Sequence, residues 1–234
     1  MSSGKLYLIP TPLGENALHT LAPYAIEQMH QLRYFIAERA RTARRFLKTT
    51  QPPCSISEMT FFELDKHQEE ASLVAYLDPL LQGQDMGLLS EAGCPGVADP
   101  GAQMVRLAHA RSIEVVPLVG PSSLLLALMA SGMNGQSFAF HGYLSSKKPE
   151  LAKDLKRLEQ LARKHKQTQL FIEAPYRNRQ VVEQALQQLQ ADTHFGIAAD
   201  LSLPGQYIAS KRISQWRKSK LPDLHKRPAV FLIL

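Results

Sequence analysis

The sequence predicts an α/β protein of two domains, with a mainly parallel sheet in the first and a mixed sheet in the second. Short apolar runs alternate with helix-spaced segments through residue 132, which is the pattern of a parallel sheet covered by helices. Later β-rich runs at 195–199, 206–213 and 230–234 follow one another without long helices, which suits antiparallel neighbours in a mixed sheet. The turn-rich GMNGQS at 132–137 separates the two patterns and divides the chain into 1–132 and 133–234.

In the first half, KLYLI at 5–9 is a strand stopped by Pro10, Thr11, Pro12, Leu13 and Gly14. Residues 18–32 carry apolar side chains at helical spacing, with Pro23 expected in the first turn. RYFIA at 33–37 is the second strand, and ERARTARRFLK at 38–48 is a basic helix opened by Glu38. A short strand at 61–64, a helix at 67–81 and the strand MGLL at 86–89 come next. That strand breaks into a loop with three glycines and two prolines in 93–101. A helix at 102–111, a strand at 113–119 and a helix from 124 to 131, apolar enough to require burial on most sides, complete this half. In the second half, strands at 138–141 and 169–173 flank a basic helix at 149–166, and an amphipathic helix spans 178–190.

The formal charge is +6, from 27 Lys and Arg against 21 Asp and Glu. The excess is concentrated: 144–166 holds eight basic residues against three acids, and 201–234 holds seven against Asp223 alone. A field of that sign attracts a polyanion such as RNA, while a solvated helix face is the plain alternative. Cys54 and Cys94 are too few for a disulfide framework, and none of the 8 His shows metal-ligand spacing, so no metal is expected. No apolar run approaches the length of a membrane span, and with no signal-peptide core the chain is expected to be cytoplasmic.

No P-loop and no Gly-x-Gly-x-x-Gly fingerprint is present, which argues against ATP and NAD. The remaining places for chemistry are loops that follow strands, where ligands bind in α/β sheets. They are LYLIPTPLG at 6–14, IAERAR at 36–41, HQE at 67–69, LSEAGCPGVADPG at 89–101, VPLVGPSSL at 116–124 and FIEAPYR at 171–177. In this order and spacing they resemble the tetrapyrrole methylase superfamily of S-adenosylmethionine-dependent methyltransferases. The resemblance is greatest to the branch that methylates a cytidine ribose 2'-hydroxyl in small-subunit ribosomal RNA. It covers about residues 5–190.

That resemblance implies two α/β domains with the cofactor in a cleft between them, usually in a homodimer. By position, it assigns S-adenosylmethionine to Pro12, to Glu91, Gly93, Pro95, Gly96 and Asp99, and to Pro121, Ser122 and Ser123. RPAVF at 227–231 resembles a terminal strand beside the adenine, which adds Pro228 and Ala229. The physical reasons agree with these positions. A sulfonium methyl needs alignment and exclusion of water, and a glycine and proline loop offers fixed backbone groups for that. One of the serines is equally suited to capping the helix near 124. The poorly nucleophilic ribose hydroxyl calls for a base or polarising group, for which Glu38, Asp99 and Glu173 are the candidates, each also suited to a cap or salt bridge. Arg39, Arg41, His67 and Arg177 are the candidate substrate contacts.

The chain departs from the rRNA branch at Glu38, Arg39, Ala40 and Arg41, where that branch has Glu-Asp-Thr-Arg. Glu91 and Cys94 stand where it has Asp and Thr. The rRNA branch often carries a small further C-terminal piece beyond the point where this chain stops. RNA is then expected to be positioned by the dimer or by the basic helix at 149–166. Two other functions fit the same residues: methylation of a small anionic molecule such as a tetrapyrrole, and a non-catalytic RNA-binding protein. Three separate basic segments favour RNA over one small substrate.

Overall fold

The computed structural model describes residues 3–64 and 70–234; the candidate His67 lies outside them. The chain forms two compact units, Met1–Ser122 and Ser123–Leu234.

The first unit contains β1 (Leu6–Ile9), α1 (Pro23–Gln31), β2 (Tyr34–Ala37), α2 (Ala40–Thr49), β3 (Thr60–Glu63), α3 (Glu70–Val74), α4 (Asp78–Leu81), β4 (Met86–Leu89), α5 (Gly101–Ala110) and β5 (Val115–Pro117). Its strands run parallel in the order β3-β2-β4-β1-β5. Successive side chains on a strand point to opposite faces, and the core divides accordingly. Ile36, Met86 and Leu88 join Leu73, Leu77 and Met104 on one face. Phe35, Ala37 and Leu89 join Met29 and Leu47 on the other. Burying each large apolar side chain contributes about 1.5–3 kcal/mol before entropy is counted, so β4, buried at all four positions, anchors the sheet.

The second unit contains α6 (Ser123–Ser131), β6 (Phe138–Tyr143), α7 (Lys148–His165), β7 (Thr168–Ile172), α8 (Asn178–Gln188), β8 (His194–Ala199), β9 (Tyr207–Arg212), α9 (Ile213–Trp216) and β10 (Ala229–Ile233). The sheet order is β6-β7-β10-β8-β9. Only β6 and β7 pair in parallel, so the sheet is mixed as expected. Phe171, Phe195 and Phe231 stack across it, with ring centroids 5.3 and 5.9 Å apart.

Several local expectations differ from the structure. The units divide between Ser122 and Ser123, ahead of the GMNGQS turn, because α6 packs on β8, β9 and β10 and so belongs to the second sheet. Within its unit, α6 buries only the face of Ala127, Leu128 and Ser131, leaving Leu125 and Met129 exposed, so it is not enclosed on most sides. The α1 helix begins at Pro23, whose fixed φ suits a first helical position; residues 18–20 form a separate 3-10 turn. Glu38 does not open α2. The N-cap is Arg39, and the Ala40 amide donates instead to the Glu63 carboxylate at 2.9 Å, reaching across from the end of β3. The short α9 has too few residues to show helical periodicity in the sequence.

Candidate functional site

Because β4, β1 and β5 are adjacent and parallel, the segments leaving their C-terminal ends lie side by side. The Thr11 amide donates to the Gly93 carbonyl at 2.9 Å, and the Gly93 amide donates back to the Thr11 carbonyl at 3.0 Å. Beneath this bridge, the buried Ser90 hydroxyl donates to the Gly93 carbonyl at 2.9 Å and lies 3.3 Å from the Thr11 hydroxyl. The Cys94 thiol contacts the Pro121 carbonyl at 3.4 Å, which adds the third loop. Burial pushes that thiol above the usual thiol range.

Glycine is required here for two distinct reasons. Gly93 and Gly96 have φ of +80° and +79°, which L side chains seldom adopt. Gly120 lies against Pro10, and a Cβ on it would sit 2.2 Å from the proline ring.

Asp99 acts first on its own loop. One carboxylate oxygen accepts from the Gly101 amide at 2.7 Å and the Gly96 amide at 3.1 Å, fixing the turn into α5. Of the other first-unit candidates, Pro12, Glu91, Pro95, Pro121 and Ser122 belong to the three joined loops. Glu38, half-buried, directly follows β2 at the same edge of the sheet and precedes exposed Arg39 and Arg41.

A cavity of about 390 Å³ opens beside this array, between the loop after β1, the inner face of α2 and the start of the loop after β4. It contains Pro12 and Glu91 among the expected residues. Asn16, Thr42, Phe46 and Thr49 also line it and were not among the sequence candidates. The sequence does carry a signal for three of them: Thr42, Phe46 and Thr49 are spaced i, i+4 and i+7, one face of a helix whose cations, apart from Arg45, do not line the cavity. Among the described residues, no three His, Cys, Asp or Glu side chains form a metal-binding group.

In the second unit, Glu173, Arg177, Pro228 and Ala229 come together, because β7 ends where antiparallel β10 begins. The Glu173 side chain is 1% exposed, paired with Arg177, and accepts from the Ala174 amide at 2.7 Å. The fully buried Asn178, absent from the sequence candidates, donates to the Arg227 carbonyl at 2.6 Å and the Leu224 carbonyl at 3.3 Å. These bonds tie the strand-end turn to the entry of β10. Ser123 starts α6.

Residues 5–216 match the model of the tetrapyrrole (corrin/porphyrin) methylases. The chain belongs to this family. Two curated relatives are named ribosomal RNA small subunit methyltransferase I. The one from Bacillus subtilis is 31% identical over 201 residues, covering 85% of this chain and 64% of the relative. The one from Synechocystis is 33% identical over 174 residues, covering 74% and 58%. The chain thus spans less than two thirds of the length of these relatives. Among solved structures, uroporphyrin-III C-methyltransferase from Thermus thermophilus complexed with S-adenyl homocysteine aligns with a TM-score of 0.56 at 15% identity. That alignment covers 98% of this chain and 97% of the other, and it extends the likeness in fold across both units.

Proposed function

We propose that this chain is an S-adenosylmethionine-dependent methyltransferase whose acceptor is a ribose 2'-hydroxyl of small-subunit ribosomal RNA, and that it works as a homodimer. The observation that carries the methyl-donor part is the joined array of loops after β1, β4 and β5, held by the Thr11 and Gly93 bridge and by Asp99. The names of the relatives support the RNA part, as does the concentration of Lys and Arg.

The chemistry asks little of the protein beyond placement. The methyl donor supplies a sulfonium carbon that an oxygen attacks in line, so rigid loops that fix distance and exclude water provide most of the catalysis. Glycines at 93 and 96 let a ligand approach bare backbone, and Pro95 and Pro121 limit the loop's other conformations. The acceptor hydroxyl needs a polarising group. Glu38 is proposed for that part because it directly follows β2 at the edge from which the joined loops leave, four positions before Thr42 in the cavity wall. Asp99 and Glu173 are proposed as positioning residues, since their carboxylates hold the turns that carry the neighbouring candidates.

Methylation of a small polycarboxylate is the second reading, favoured by the family's description and by the cations Arg39, Arg41 and Arg177. Calorimetry with S-adenosylhomocysteine tests what both readings share. Saturable one-to-one binding per chain is expected, and absence of binding would remove both.

A further inference from the structure

The α2 helix has two chemically different faces. Thr42, Phe46 and Thr49 line the cavity of about 390 Å³, within the range of small-molecule pockets, roughly 300–1,000 Å³. Arg41, Arg44 and Lys48 are exposed outside it. Arg44 is held over the Phe61 ring, 4.7 Å from its centroid, which directs that cation away from the cavity.

The lining selects among ligands. Its neutral polar groups include the Asn16 amide and the Thr42 hydroxyl, which can donate and accept, and the Thr49 hydroxyl, which donates to the Phe46 carbonyl at 2.6 Å and so offers a ligand an acceptor. Asn16 takes a left-handed φ of 59°, a conformation Asn tolerates better than most residues. Phe46 with Leu13 and Leu18 gives an apolar wall. Its ionisable lining residues are two carboxylates, Glu15 and Glu91, against one guanidinium, Arg45, which lies 4.0 Å from Glu15. A polycarboxylate would be repelled there, whereas a flat, neutral base finds an aromatic side chain and matching hydrogen-bond partners. A free adenosyl group would use the inside of the cavity equally well, but it has no use for the three cations on the outer face of the same helix.

We infer that α2 reads RNA with both faces: the cavity takes the base of one unpaired nucleotide, and Arg41, Arg44 and Lys48, on the outer face of the helix, hold phosphates of the adjoining chain. This rests on the reading of RNA as the acceptor, and it replaces a purely ionic substrate contact with a shaped pocket. Arg45, at the cavity mouth, joins the two faces.

The test uses the full chain, a short fluorescein-labelled single-stranded RNA of mixed sequence read by anisotropy, and S-adenosylhomocysteine read by calorimetry. Thr42→Trp fills the pocket. Thr49→Trp, at an exposed position near the end of α2, does so with less risk to folding, and far-UV circular dichroism checks both. Each is expected to weaken RNA binding about tenfold or more with its salt dependence unchanged, and to change S-adenosylhomocysteine affinity less than about threefold, although Pro12 and Glu91 also line the cavity. Replacing Arg41, Arg44 and Lys48 together by Ala is expected to lower the slope of log affinity against log salt by about 2, at roughly 0.7 per phosphate contact. Wild-type RNA affinity in both folded Trp variants would overturn the inference, as would absence of RNA binding by the wild type. Parallel loss of S-adenosylhomocysteine binding would overturn it too, by assigning the cavity to the methyl donor. Should the wild type bind RNA but not S-adenosylhomocysteine, the methyl-transfer reading falls and the RNA measurements still decide the pocket.

Discussion

Thr11 and Gly93 exchange both of their backbone hydrogen bonds, at 2.9 and 3.0 Å, outside any regular strand. Two loops that begin on neighbouring parallel strands are thereby joined just beyond the sheet, and Ser90 reinforces the joint from below with its 2.9 Å bond to the Gly93 carbonyl.

Ser90→Ala should therefore act on the loop more than on the sheet. Ser90 is buried, and losing its hydroxyl bond should cost about 1 kcal/mol, read as a lower urea midpoint with an unchanged slope. S-adenosylhomocysteine affinity should fall with it. Unchanged affinity in a variant of lowered stability would separate this joint from the methyl-donor site.

Gly120→Ala and Gly135→Ala form a matched pair. A Cβ at 120 would lie 2.2 Å from Pro10, whereas at 135 nothing lies within 4 Å. The first change should destabilise by about 1–3 kcal/mol through overpacking. The second should stay within about 0.5 kcal/mol of wild type. Thermal unfolding of both variants gives the comparison directly, and equal melting temperatures would contradict the packing of the first loop against the third.

Cys94 supplies a pH prediction. Burial holds its thiol pKa above the ordinary value, so in the folded chain the proton is retained to higher pH than in the unfolded one. The stabilisation is complete below the unfolded thiol pKa, about 8.5, and is lost as pH rises through the folded value. Alkylation of Cys94 by iodoacetamide, followed by peptide mass spectrometry, should show a midpoint above about 8.5 in native protein and near it in urea.

Most of the architecture was legible because the first sheet is written in short apolar runs. β4 falls on MGLL, and the glycines and prolines that follow it mark the loop that joins the others. What the sequence hid depends on long-range partners. Glu63 caps α2 from another strand, 23 residues away, so local charge pointed to Glu38 instead. Leu125 and Met129 look like core in an apolar run, yet only one face of α6 meets the second sheet. Asp99 and Glu173 stood out as possible bases, but the bonds that make them loop braces appear only once Gly101 and Arg177 are in place. The spacing of Thr42, Phe46 and Thr49 is masked in the sequence by the arginines between them, which dominate the composition of α2.

The reaction proposed for this chain is methyl transfer to a ribose in small-subunit ribosomal RNA. Its most direct test incubates the purified chain with small ribosomal subunits lacking the modification and tritium-labelled S-adenosylmethionine. Digestion of the RNA to nucleosides and mass spectrometry then identify the product. Label is expected in a single 2'-O-methylated nucleoside, with Glu38→Gln slowing its formation about 100-fold or more while S-adenosylhomocysteine still binds. Label on a base, or no label in the RNA from a chain that binds S-adenosylhomocysteine, would contradict it.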